Sequence, residues 1–137
     1  MKRILSMIII LMSLISCSVD DNLQEYTVEK MPIESVELPQ VFVYGNTYTI
    51  SMTYEKPTSC HGYDGIIFSR EGNIRTIAIQ NILVVGSNCQ DLTDEFAETS
   101  FDITIEEYEP YVFKFWQGTN DEGEDVFLEY EIMVVTN

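Results

Sequence analysis

Residues 111–135 read YVFKFWQGTNDEGEDVFLEYEIMVV, and their pattern indicates the fold class. Large apolar side chains occupy every second position of residues 111–116, and residues 126–134 repeat this alternation. A period of two is typical of β-strands that bury one face. The intervening residues 120–125 contain Asn, Asp, Glu and one Gly, a composition that predicts a hairpin turn. The stretch therefore predicts two adjacent antiparallel strands.

The same alternation continues upstream in residues 47–54 and 101–106. A second hairpin is predicted at Glu71-Gly72-Asn73, between the strand-like segments GIIFSR and IRTIAIQ. No window of eleven residues has the periodicity of an amphipathic helix. We therefore expect residues 34–137 to form an all-β domain, an antiparallel immunoglobulin- or fibronectin-III-like sandwich of seven to eight strands.

The N-terminus has the order of features that marks an export signal. Positively charged Lys2 and Arg3 precede the apolar run 4–15, which is shorter than the roughly 20 residues that a membrane-spanning helix needs. The run ends in Leu14-Ile15-Ser16-Cys17, which resembles a bacterial lipobox. Residues 1–16 are thus predicted to be a lipoprotein signal peptide and Cys17 the lipidated first residue. The alternative is an ordinary cleaved signal with a cysteine there by chance.

Beyond Cys17, residues 17–33 show no sustained periodicity and are predicted to be a lipidated N-terminus and flexible tether. Residues 18–21 read SVDD, without an aspartate directly after the cysteine. They resemble the serine-plus-acid signal that sends lipoproteins of the Bacteroidota to the cell surface. We expect a lipid-anchored location in the outer membrane, with the domain facing the cell exterior, and several acyl chains would make such anchoring stable.

The composition is strongly acidic. The net charge is −16, and without residues 1–16, which contain Lys2 and Arg3, it becomes −18. Nucleic acid would be repelled, so cations or basic protein surfaces are the expected partners besides the membrane. About 100 residues suffice for one modest core, and we expect a monomeric single domain.

Two cysteines, Cys60 and Cys89, remain once Cys17 is assigned to the anchor. Small domains in oxidising compartments commonly contain disulfides, so we interpret this pair as a disulfide bond. A Cys-His metal site is the alternative, but the chain contains one histidine and no CxxC spacing.

Three segments carry a family resemblance: YEKPTSCHGYDGI, NCQDLTDE and YVFKFWQGTNDEGED. They resemble blocks in small lipoproteins of flavobacteria and related Bacteroidota, a group without an assigned activity. The likeness covers about residues 45–135. It implies an immunoglobulin-like sandwich with a Cys60–Cys89 bridge, and it implies no catalytic or ligand-binding residues.

The sequence contains little that predicts catalysis. His61 is the single histidine, and Ser59 or Asp64 could accompany it, but neighbouring side chains on an extended segment point in opposite directions. No G-x-S-x-G, P-loop or H-E-x-x-H motif is present. A small hydrolase that uses His61 or paired carboxylates remains one alternative.

Binding candidates are more numerous. Three loops, 55–64, 86–98 and 118–125, are expected at one end of the sandwich and would make that end acidic. No cofactor is expected; the alternative is calcium at this end, since calcium takes oxygen ligands from flexible loops. The calcium candidates are Asp91, Asp94, Asp121 and Asp125. The aromatic candidates for contact with a sugar or a protein are Trp116, Tyr63 and Tyr108.

For Trp116 two interpretations stay open: an outward side chain available for stacking, or a strand-end tryptophan covered by the neighbouring loop. The expected function is that of a non-enzymatic binding or envelope-interaction module whose ligand the sequence does not name. One alternative is a glycan-binding accessory lipoprotein that uses exposed aromatic residues. Another is an acidic inhibitor of a basic protein partner.

Overall fold

The computed structural model describes residues 24–86 and 88–136. Within this part the chain forms nine strands arranged in a six-stranded and a three-stranded sheet, which confirms the predicted all-β sandwich. The strands are β1 (Tyr26–Met31), β2 (Ile33–Glu37), β3 (Val41–Val43), β4 (Thr47–Glu55), β5 (His61–Glu71), β6 (Ile74–Val84), β7 (Phe96–Thr104), β8 (Tyr111–Thr119) and β9 (Asp125–Val135). Both predicted hairpins are present, between β5 and β6 and between β8 and β9.

The larger sheet is built around β6. Strand β5 lies along one side of β6, while β1 and β8 share the other side end to end. β1 pairs with residues 79–84 of β6 and β8 with residues 74–77. Strands β9 and β3 continue the sheet beyond β8, and the smaller sheet has the order β2-β4-β7.

Two of the strand pairings are parallel, β3 with β9 and β6 with β8, whereas the sequence analysis expected antiparallel pairing throughout. The β6·β8 pairing follows from the chain path, because the chain crosses to the smaller sheet as β7 and returns before it forms β8. Alternation identifies the buried face of each strand but contains no information on which strand lies beside it.

The flexible tether predicted for residues 17–33 is wrong for its second half. Residues Tyr26–Met31 form β1, and β2 begins at Ile33. Residues 26–31 lack a clear alternation of apolar and polar side chains, because the adjacent residues Glu29 and Lys30 place one charge on each face of the strand. Pro32 lies between the two strands, where the chain passes from the larger sheet to the smaller one. Residues 17–23 lie outside the described part.

Strand directions define two ends of the sandwich. We call one the disulfide end; it consists of the loop 56–60, residues 85–86 and 88–95, and the loop 120–124. We call the other the tyrosine end; it consists of the loops 44–46, 72–73 and 105–110. The three loops expected together on one end therefore do lie at the same end.

The core forms where the alternating apolar faces of the two sheets meet. Phe113 and Phe115 of β8 are fully buried, with ring centroids 5.9 Å apart. Phe42 of β3 packs edge-on against Phe113 at 6.0 Å. From the smaller sheet, Ile50 and Met52 of β4 complete the contact. This burial supplies the main favourable free energy of folding.

Tyr111 fixes the start of β8 to the preceding loop. Its hydroxyl accepts hydrogen bonds from the backbone N–H of Glu106, at 3.2 Å, and of Glu107, at 3.3 Å. A tyrosine that bonds back to the backbone a few residues upstream is a recurrent feature of immunoglobulin-type sandwiches. The bond orders the loop 105–110 at the tyrosine end.

Candidate functional site

The disulfide end holds most of the residues that the sequence singled out. Cys60 and Cys89 form the predicted disulfide bond, with an S–S distance of 2.04 Å and a Cα–Cα distance of 5.4 Å. Cys60 lies just before β5, and Cys89 lies in the loop after β6. The bond therefore joins the two loops that flank the β5–β6 hairpin.

Backbone contacts hold the same two loops together beyond the disulfide. Thr58 and Asp91 form an isolated antiparallel bridge. The Leu92 N–H donates to the Pro57 carbonyl at 2.9 Å, and the Ser59 N–H donates to the Gln90 carbonyl at 2.9 Å. Residues 57–59 and 90–92 are thus held together by backbone contacts beside the disulfide.

His61 is buried at the first position of β5, with 5 % of its surface exposed. Its Nδ1 lies 2.8 Å from the Thr58 hydroxyl and its Nε2 lies 3.2 Å from a Glu29 carboxylate oxygen. The partners that the sequence suggests for His61 are Ser59 and Asp64 instead. Glu29 is not among them, because it falls within the segment predicted to be a tether.

The order hydroxyl, imidazole, carboxylate is the one that hydrolases use for an activated nucleophile. Here, however, the Thr58 hydroxyl also accepts the Cys60 N–H at 3.2 Å within the same turn. The imidazole is enclosed, so this geometry connects the 56–60 turn to β1 beside the disulfide. The contacts are those of a structural support.

A second buried polar group lies next to this support. Asn81 of β6 is fully buried, and among residues 24–86 and 88–136 neither its amide nitrogen nor its amide oxygen has a hydrogen-bond partner. Burial raises the pKa of Tyr54 on the facing sheet, and the nearby Asn81 amide opposes this effect in part. A buried amide of this kind costs stability, because it has lost its hydration without a replacement bond.

The aspartates proposed for calcium do not converge. Within residues 24–86 and 88–136, no group of three or more His, Cys, Asp or Glu side chains is arranged to hold a metal ion. Asp125 instead accepts a hydrogen bond from Trp116 and lies 3.9 Å from the Lys30 ammonium. The Asp94 backbone N–H donates to a Glu55 carboxylate oxygen at 3.1 Å. Asp91 bridges Thr58, and Asp121 lies in the β8–β9 hairpin.

A cavity of about 440 Å³ opens at the disulfide end, and three of its lining side chains are carboxylates. Its lining residues are Pro32, Glu34, Glu55, Pro57, Asp91 and Leu92. The lining therefore combines apolar side chains with carboxylates. Such a combination can accommodate the aliphatic stem and the charged head of a basic side chain.

Trp116 is 9 % exposed and is not available for stacking. Its indole N–H donates to Asp125 at 2.7 Å, and the Lys30 ammonium lies 4.3 Å from the ring centroid. Of the two interpretations of this residue, the structure thus supports the covered tryptophan. The cover comes from β1 as well as from the start of β9, and β1 was not predicted.

The two tyrosine candidates lie at opposite ends. Tyr63 is 49 % exposed near the disulfide end, in register with Asn81. Tyr108 is 64 % exposed at the tyrosine end and stacks on Tyr44, with ring centroids 4.1 Å apart and planes 6° from parallel. Tyr44 is not among the residues predicted from the sequence. No local signal links it to Tyr108, since their proximity arises only when the sandwich is folded.

The sequence matches no protein-family model, and no curated protein or solved structure is detectably similar to it. Among the described residues, no helix is long and apolar enough to cross a membrane. The resemblance to flavobacterial lipoproteins therefore stays a prediction, and function has to be argued from the geometry of the two ends.

Proposed function

We propose that this protein is a non-enzymatic binding module that is exported and anchored by lipid at Cys17 in a bacterial outer membrane. The observation that carries the proposal is the Cys60–Cys89 bond, because disulfides persist in oxidising compartments outside the cytosol. Basic residues 2–3, the short apolar run and the lipobox-like LISC segment support export and lipidation. The SVDD segment supports a surface-facing position in a member of the Bacteroidota.

The position of β1 relates the domain to this anchor. Strand β1 begins at Tyr26, beside Val84 at the disulfide end. Residues 18–25 therefore separate Cys17 from the sheet, and a chain of this length spans at most about 28 Å. The disulfide end would face the membrane at short range, and the tyrosine end would face away from it.

The geometry of His61 supports binding rather than catalysis. A hydrolase would need a reactive hydroxyl that substrate can reach, whereas the Thr58 hydroxyl serves the turn and His61 is enclosed. Open cavities and exposed aromatic residues at both ends are instead the features by which small sandwiches recognise partners.

Fatty-acid labelling tests the anchor. Cells that express the full chain and are fed an alkyne-tagged fatty acid should yield a labelled protein, and Cys17→Ala should remove the label because the acceptor sulfur is gone. Cys60→Ala is the matched control, since it removes a cysteine but leaves Cys17 in place. Equal labelling of the wild type and Cys17→Ala would contradict the proposal.

A second candidate function is inhibition or capture of a basic protein, and the acidic cavity at the disulfide end favours it. The Glu34→Gln/Glu55→Gln variant should bind a fluorescent lysine-rich peptide about tenfold more weakly at roughly 0.15 M salt, measured by anisotropy. Glu71→Gln/Glu131→Gln removes the same charge from exposed positions elsewhere. If both variants lose affinity equally, the attraction is general and this candidate is wrong.

A further inference from the structure

A second cavity, of about 280 Å³, opens at the tyrosine end, where β5 and β6 meet the end of β7. Its volume is close to the lower limit of ligand sites, which occupy about 300–1,000 Å³. The lining includes Phe68, Arg70, Arg75, Asp102, Ile103 and Glu106. Aromatic, aliphatic, donor and acceptor groups are thus combined in one small space.

The charges around this cavity are largely balanced among themselves. Arg75 is buried, and it donates to the Gly72 carbonyl at 2.7 Å and to Glu107 at 3.3 Å. Arg70 forms an ion pair with the same Glu107 carboxylate. Asp102 and Glu106 add further carboxylates to the lining. An anion such as phosphate would find both guanidinium groups already paired and two carboxylates nearby, so the lining favours a neutral ligand.

An aromatic platform adjoins the cavity. Tyr44 covers one face of Tyr108, and the other face of Tyr108 is open to solvent. Hydrogen bonding to Tyr108 raises the pKa of Tyr44, and the charge of Glu106 acts in the same direction more weakly. Glu106 itself lines the cavity. Tyr108 directly follows Glu107, whose carboxylate pairs with Arg70 of the lining, so platform and cavity are neighbours. Stacking holds the exposed ring in place before a ligand arrives, which reduces the entropic cost of binding.

We propose that the tyrosine end binds a neutral carbohydrate, with one sugar ring against the open face of Tyr108 and the adjacent hydroxyl groups in the cavity beside Arg70 and Glu106. A pyranose ring has an apolar C–H face that suits an aromatic surface. Its hydroxyl groups both donate and accept, which suits a mixed lining with little excess charge. Trp116 and Tyr63, which the sequence analysis grouped with Tyr108, take no part.

This inference rests on the proposed binding function and names its ligand. Strands β5 and β6 each contain 11 residues, so the tyrosine end lies about 35 Å from the end where β1 begins. On a membrane anchored through Cys17, the carbohydrate site would therefore point outward.

Affinity electrophoresis tests the proposal with the full chain, solubilised in detergent. Native gels would contain soluble mannan, xyloglucan, laminarin or galactan. We expect retardation by at least one of these neutral polysaccharides, about tenfold weaker binding for Tyr108→Ala, and nearly unchanged binding for Tyr108→Phe, which keeps the ring. Tyr63→Ala is the matched control, because it truncates a similarly exposed tyrosine at the other end.

Migration of all variants in gels without polysaccharide and their near-ultraviolet circular dichroism would verify folding. Absence of retardation on all four polysaccharides would overturn the inference, and so would equal losses for Tyr108→Ala and Tyr63→Ala. Cys17→Ala should be retarded like the wild type, because the site does not need the anchor. Failure of the anchor thus appears in the labelling experiment, and failure of the carbohydrate site appears in the gels.

Discussion

Phe113→Ala is expected to lower the free energy of unfolding by about 3–5 kcal/mol, the range for truncating a buried phenylalanine. Phe113 is fully buried in the middle of β8, between the ring of Phe42 and the ring of Phe115. These neighbours belong to different strands that are held by backbone pairing, so they cannot close the space that the ring leaves. The loss therefore includes a cavity contribution in addition to the lost burial.

Urea unfolding followed by circular dichroism measures this effect. Phe96→Ala is the matched control, since Phe96 begins the edge strand β7 and is 56 % exposed. It should change stability by no more than about 0.5 kcal/mol. A loss below about 1 kcal/mol for Phe113→Ala would show that the ring of Phe113 is not tightly packed in the core.

Much of this core follows from the sequence alone. The side-chain period of two places Tyr111, Phe113 and Phe115 on one face, and a face of three aromatic residues has to be covered by a second sheet. The disulfide follows from the count of cysteines once Cys17 is assigned to the anchor. Local pattern and composition therefore predict the class of fold and its covalent link.

Two features could not be predicted, for a physical reason in each case. β1 carries a charged side chain on each face, Glu29 on one and Lys30 on the other, so its strand character derives from pairing with β6 and not from its own alternation. The parallel contact of β6 with β8 depends on the route of the chain through the other sheet.

The candidate sites show the same division. The position of Trp116 in the alternation of β8 does not decide whether its side chain is exposed or covered. The cover depends on strand β1, which the sequence did not predict. The Tyr44–Tyr108 stack joins residues from two separate loops. Likewise Arg75 meets its hydrogen-bond partners, the Gly72 carbonyl and the Glu107 carboxylate, only in the folded sheet. Sites assembled from distant loops leave no periodic signal in a single sequence.

The Cys60→Ala/Cys89→Ala variant is expected to lose about 3–4 kcal/mol of stability. The bond closes a loop with a sequence separation of 29, and the chain-entropy account assigns a cost of that size to opening such a loop in the unfolded state. The total free energy of unfolding of small domains is about 5–15 kcal/mol, so the variant should unfold at a much lower denaturant concentration than the wild type. Replacing both cysteines avoids a free thiol that could form intermolecular bonds.

The native fold should nevertheless persist in this variant. The backbone bonds between Leu92 and Pro57 and between Ser59 and Gln90 hold the loops without the sulfur atoms. Removing the cross-link should mainly expand the unfolded chain, so the dependence of the unfolding free energy on urea should steepen. Reduction of the wild type with dithiothreitol should reproduce the loss. Unchanged stability in both cases would mean that the native bond stores strain equal to its entropic benefit. Extensive hydrogen exchange of the β6 backbone amides in the variant would mean that the bond is required for the sheet itself.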